Sequence, residues 1–201
     1  MVAILKQAPE LITDRANLGC NDFLDWSNLA SPKNPAQPFN ILSHAFSVSS
    51  ALGSKLTIKI PPYLRSGVTP PFIFETQPKP GIPTNFAVGD HILFTGFIPG
   101  APPTIGNPGP LQIKFAQPVS AFGTQIGTDD TYEFLAFLWA YDELGQLLGK
   151  FALPCQSSEE LDNSAEFIGI RSQVANIAFI SLSTSEPERA FGINALSFGE
   201  V

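Results

Sequence analysis

An all-β fold, a two-layer antiparallel β-sandwich of jelly-roll type with an irregular N-terminal segment, is what this sequence predicts, on three observations. Nineteen prolines and sixteen glycines are scattered through 201 residues, too often to leave room for long helices. Between these breaks apolar residues recur at every second position, the period of a strand and not of a helix. The composition, 44% hydrophobic and 14% charged, excludes disorder, and a chain of this size buries roughly 70% of its unfolded surface, enough for one full core. No repeat, charge block or flexible linker divides the chain, so residues 1–201 read as one domain, with residues 1–37 an irregular wrap.

Taken in order, the wrap holds one candidate helical turn in "NDFLDWSNLA", with Asn21 or Asp22 as its cap. "FNILSHAFSVSS" alternates throughout and reads as one strand, which turns His44 to the core with Leu42, Phe46 and Val48. In "KLTIKI", Leu56, Ile58 and Ile60 face one way and Lys55, Thr57 and Lys59 the other; "PLQIKF" repeats this, with Gln112 and Lys114 outward. "PFIFET", "DHILFTGF", "VSAFGTQI", "TYEFLAFLWAY", "QLLGKFALP", "AEFIGI", "VANIAFISLS" and "AFGINALSF" bring the set to about eleven strands. "YDELGQ" joins two apolar runs through Asp142, Glu143 and Gly145, residues suited to a tight reversal. The stretches "TPP", "QPKPGIP" and "IPGAPPTIGNPGP" lack the amides a ladder needs and are read as surface loops.

Charge and motifs narrow the function. A formal charge of -7 repels nucleic acid phosphates and anionic lipid heads. No apolar run approaches the ~20 residues of a membrane-spanning helix. "MVAILKQAPELITDR" has no leading basic segment and no apolar stretch long enough for a secretion signal, which leaves a cytoplasmic protein or one whose signal lies outside these residues. Cys20 and Cys155 sit in polar, turn-like surroundings without CxxC or CxxH spacing, so two free thiols are expected, a bridge being the alternative in an exported protein. His44 reads as a structural core histidine. Asp90 and His91 are adjacent on a strand, so their side chains point to opposite faces and cannot form a proton relay. The GxSxG, HExxH, GxxxxGK and EF-hand patterns are all absent.

The segment 131–141 is the most informative. Phe134, Ala136, Leu138 and Ala140 form one apolar face, and Leu135, Phe137, Trp139 and Tyr141 form another, whereas a sandwich strand needs only one. The expected cover for the second face is the N-terminal wrap with Phe23 and Trp26; the alternative is a groove in which a ligand stacks on the rings. Trp139, Tyr141, Phe137 and Trp26 are the stacking candidates, and planar rings suit the apolar faces of sugars. Acidic residues gather at loops, among them Asp129 and Asp130. Such loops can supply the six to eight oxygens of a structural calcium ion.

The run "FTGFIPGAPPTIGNPGPLQIKFAQPVSAFGTQIG", then "AEFIGIRSQVANIAFISLS" and "RAFGINALSFGEV", with "DRANLGCNDFLDWSNL" near the start, resembles a β-sandwich domain of bacterial, often cyanobacterial, exported proteins that carry a Pro-Glu-Pro sorting tail (PEP-CTERM). The resemblance implies export to the cell envelope and brings no catalytic residues. Such domains often carry Asp at the position of Asn194, so the uncharged Asn194, a third candidate metal ligand beside Asp129 and Asp130, would be a weaker calcium ligand than the family's Asp. The expected function is therefore a non-catalytic binding or envelope module that recognises a carbohydrate or another small molecule through its aromatic groove. One alternative is a jelly-roll lyase or cyclase in which Asp90 or Asp25, held in an apolar pocket, protonates a hydrophobic substrate. The other is a purely structural surface protein.

Overall fold

The computed structural model describes residues 8–29, 39–61, 72–79, 81–96, 110–129, 132–186 and 189–199. They form fifteen strands: β1 (Glu10–Ile12), β2 (Asp22–Leu24), β3 (Asn40–Leu42), β4 (Ala45–Ser49), β5 (Lys55–Lys59), β6 (Phe72–Thr76), β7 (Ile92–Gly96), β8 (Leu111–Val119), β9 (Ala121–Thr128), β10 (Tyr132–Tyr141), β11 (Leu147–Ser157), β12 (Phe167–Arg171), β13 (Ile177–Thr184), β14 (Phe191–Ile193) and β15 (Leu196–Gly199). The helical content of the described residues is two single 3-10 turns, Arg15–Asn17 and Ser27–Leu29, and none of it is long and apolar enough to cross a membrane. The predicted loop at 69–71 and residues 98–109 of the predicted loop at 98–110 lie outside the described residues.

Two antiparallel sheets face each other. The nine-stranded sheet runs β1-β12-β9-β14-β7-β6-β3, with β15 joining β9 to β2, and the six-stranded sheet runs β11-β10-β13-β8-β5-β4. Leu56, Ile58, Ile113, Leu138 and Ile180 of the six-stranded sheet meet Ile73, Leu93, Phe122, Ile168 and Ile193 of the other in one buried core. Alternation explains this, since each strand turns every second side chain to that layer.

Three segments depart from the sequence reading, each for a reason of backbone pairing. "FNILSHAFSVSS" is not one strand: β3 pairs with β6 in one sheet and β4 with β5 in the other, so the chain changes sheet at Ser43–His44, where Ile60 N–H bonds the His44 carbonyl. The last apolar run is likewise two strands, β14 and β15, both along one edge of β9 and offset by one residue across Asn194 and Ala195, a slip of the kind a bulge makes. The wrap is more regular than expected, since β1 and β2 extend the nine-stranded sheet. The 3-10 turn Ser27–Leu29 is led by Asp25, whose Oδ1 accepts from Ser27 N at 2.7 Å; Asp22 is instead a buried residue of β2.

The two outer faces differ, and the difference positions the site. On the nine-stranded sheet, Phe74, Ile92 and Phe94 are covered by Phe86 and Ile82, and Ala121 and Phe167 by Ile12 and Leu18 of the wrap. The outward residues of the six-stranded sheet are mostly exposed or half-buried.

Candidate functional site

That uncovered face carries the aromatic strip. Along β10, Phe134, Ala136, Leu138 and Ala140 are buried, while Leu135 is 39% exposed and Phe137, Trp139 and Tyr141 are half-buried. The expectation that the wrap covers these rings is corrected, because β1 and β2 pair with β12 and β15 in the other sheet. Trp26 does not join the strip either. It is fully buried in the core, and its Nε1 donates to the Asn194 carbonyl at 2.9 Å, so no ligand ring can stack on it. Phe23, offered as cover, is itself 53% exposed.

Sheet register sets what surrounds the remaining three. Trp139 stands opposite Lys150 on β11 and Ser181 on β13. The Lys150 ammonium lies 5.7 Å from the Trp139 ring centroid, and the Phe137 ring centroid lies 5.5 Å from that of Trp139, a cation–π and an aromatic contact that orient the indole. Tyr141 stands opposite Phe179, their rings 5.5 Å apart and tilted by 50°. From Phe179 the row continues to Lys114 and then Thr57. Tyr141, Phe179, Lys114, Thr57, Gln112 and Lys59 line a cleft of about 670 Å³ that ends at the β10–β11 hairpin. The hairpin is a rigid rim: Asp142 Oδ1 accepts from the amides of Leu144 (2.9 Å) and Gln146 (2.8 Å), and Gly145 takes a φ of 75°, open to glycine at no steric cost. Ring faces beside ammonium, amide and hydroxyl groups can hold a molecule that is apolar on one side and polar at its edge.

The predicted acids and metal ligands lie elsewhere. Asp90 Oδ2 accepts from Ala87 N (3.1 Å) and Asn194 Nδ2 (3.2 Å), and the Asp25 carboxylate is held by the amide and hydroxyl of Ser27. Neither lines the cleft. Asn194 is the hub of a polar cluster between β14 and β15, its Oδ1 accepting from Arg15 (3.0 Å) and Gln125 N (3.3 Å), its Nδ2 donating to Gln125 Oε1 (2.6 Å). Arg15 also donates to Ser197 Oγ and the Ala195 carbonyl, and stacks 5.1 Å from the Phe167 ring centroid. Burial pushes the Arg15 pKa down, against the attraction of Asp90. The candidate ligand Asn194 therefore faces a guanidinium, where a metal ion would be repelled. Asp129 directly follows β9, and Asp130 lies outside the described residues. Among the described residues no three His, Cys, Asp or Glu side chains come together as metal ligands.

Two polar constellations escaped the sequence reading. His91 Nδ1 bonds Glu75 Oε1 at 2.6 Å, across the β6–β7 ladder, and its Nε2 meets the Gln77 amide at 3.2 Å. The signal was present: Glu75 and His91 occupy positions in register with inward Ile73 and Leu93. Asp22 is the other, tying β2 to the turn at Ser50–Ser54. Cys20 and Cys155 are free thiols in separate apolar clusters. Burial pushes each pKa up to about 12; Arg15 opposes this at Cys20, and Glu166 adds to it at Cys155.

No protein-family model matches the chain, and no curated protein does. Among solved structures, the chain is similar over 96% of its length to the whole of a DUF4465 family protein from Bacteroides caccae, with 10% identity and a TM-score of 0.42. A second similarity, to CsCBM6-3 from Clostridium stercorarium in complex with cellobiose, covers 89% of this chain and 93% of that one, with 10% identity and a TM-score of 0.27. At these scores neither likeness bears on what this chain binds.

Proposed function

We propose that this protein is a carbohydrate-binding module that takes sugar rings on the outer face of its six-stranded sheet. The observation that carries the reading is the row of aromatic side chains at alternate positions of β10, left open beside the cleft while the other sheet's outer face is covered by its own chain. Open rings of this size cost free energy in water unless something covers them. The flat C–H faces of a pyranose fit Trp139 and Tyr141, and Gln112 and Thr57 offer partners for its hydroxyls. The sequence resemblance to exported envelope domains supports placing such a module at the cell surface. The lyase or cyclase reading gains nothing from the positions of Asp90 and Asp25, both held by hydrogen bonds away from the cleft.

A glycan array with the full chain tests this. Wild type binds at least one glycan class, and Trp139→Ala weakens that binding by about tenfold, the worth of one stacked ring, with an unchanged circular dichroism spectrum. Absence of binding across the array, or equal binding by the variant, refutes the reading.

A further inference from the structure

The six-stranded sheet is charged in the opposite sense to the molecule that carries it. The chain has a formal charge of -7, yet four of its seven lysines, Lys55, Lys59, Lys114 and Lys150, belong to these six strands, against one acid, Glu133. Glu133 lies at the far end, opposite Gln156. All four lysines occupy outward positions: Lys55, Lys59, Lys114 and Lys150 are exposed, whereas the intervening Leu56, Ile58 and Ile113 are buried. Among the described residues the ion pairs are Glu75–His91 and Arg171–Glu10, so none of the four ammonium groups there forms a close ion pair with a described carboxylate. The hairpin sets Asp142 and Glu143 at the end of the cleft that Lys59 and Lys114 line, with Asp142 Oδ1 serving the turn amides; Lys150 lies outside that cleft, beside Trp139.

Their placement follows the rings. One row across the sheet reads Lys150, Trp139, Ser181, Gln112, Lys59, and the next Tyr141, Phe179, Lys114, Thr57. With strands about 4.8 Å apart, the first row spans about 19 Å and has an ammonium at each end. Rings in these rows therefore stand among ammonium, hydroxyl and amide groups. A neutral sugar would leave those charges unused. A phosphate rail favours the fork of arginine, and these strands contain none.

We infer that the ligand of this face is an acidic glycan, an oligosaccharide of uronate-type sugars whose carboxylates meet Lys59, Lys114 and Lys150 while its rings stack on Trp139 and Tyr141. This rests on the carbohydrate reading above and narrows it. Attraction by a local basic patch on an acidic protein is short-ranged and sensitive to salt.

The experiment is calorimetric titration of the full chain with oligogalacturonate, with cello- and xylo-oligosaccharides of equal length, and with single-stranded DNA. Each is run at low salt and at about 1 M salt, where charges are screened within about 3 Å. The uronate should bind about tenfold tighter than either neutral sugar at low salt and lose that advantage at high salt. Lys59→Gln/Lys114→Gln should remove the same advantage, and the salt series on wild type decides the matter even if the variant folds poorly. Equal affinity for charged and neutral sugars, dependent on Trp139 but not on salt, overturns this inference and leaves the carbohydrate reading standing. Binding of no sugar overturns both, and preference for DNA over the uronate overturns the inference in favour of nucleic acid.

Discussion

The Asp22 carboxylate, buried in β2, accepts four hydrogen bonds: Oδ1 from the amides of Phe23 and Leu52, Oδ2 from the hydroxyls of Ser50 and Ser54. Burial alone would raise its pKa, but the four donors outweigh this and hold it below the usual carboxylate value. The folded protein thus binds this proton more weakly than the unfolded chain. The resulting stabilisation is complete above about pH 5 and disappears as pH falls through the depressed folded value. Asp22→Asn should lower the free energy of unfolding in urea at neutral pH by about 2 kcal/mol and flatten the loss of stability in acid; an unchanged acid limb would count against this role. The thiols make a second prediction. With both pKa values raised to about 12, iodoacetamide at pH 8 should label native Cys20 and Cys155 about a thousandfold more slowly than the unfolded chain. At Gly192 the constraint is space: a Cβ would lie 2.5 Å from the Phe94 ring and 2.7 Å from Ile92. Gly192→Ala should therefore cost about 2 kcal/mol in urea unfolding.

At the scale of elements, polar groups decide where strands stop and how they are joined. Asn194 and Ala195 absorb the one-residue slip between β14 and β15, and Arg15, Gln125 and Thr124 satisfy the backbone and side-chain groups exposed there. The β6–β7 ladder encloses a buried pair, Glu75 being 6% and His91 19% exposed at the side chain. Removing one partner strands the other away from water. His91→Ala should destabilise the protein by about 3 kcal/mol, and Glu75→Gln/His91→Gln by clearly less, as a double-mutant cycle followed by urea unfolding would show. Pro154 marks an edge in the same way: it sits in β11, at the margin of the six-stranded sheet, where a missing amide breaks no interior ladder. Strand identity was legible in sequence wherever alternation was clean, as in "KLTIKI". The change of sheet at Ser43–His44 was not, because the inward–outward pattern runs through it uninterrupted.

For the whole molecule, the consequence is two layers with unlike surroundings and one tryptophan reporting on each. Trp26 is sealed in the core and Trp139 lies half-buried on the open face. Acrylamide should quench native Trp139 and leave Trp26 protected until the protein unfolds; the Trp139→Phe variant, retaining Trp26 alone, checks this. Period-two patterning, prolines and glycines determined by themselves that the chain is a β-sandwich, and that Phe134, Ala136, Leu138 and Ala140 share one face of their strand and Phe137, Trp139 and Tyr141 the other. Those are local consequences of a backbone that alternates its side chains. Only tertiary structure decided that the wrap lies on the other sheet, that Trp26 is core, that His91 pairs with Glu75, and that Lys59 and Lys114 stand beside Tyr141 and Phe179. Such neighbours are set by strand order and register, which depend on packing between segments far apart in the chain and leave no periodic mark on any one of them.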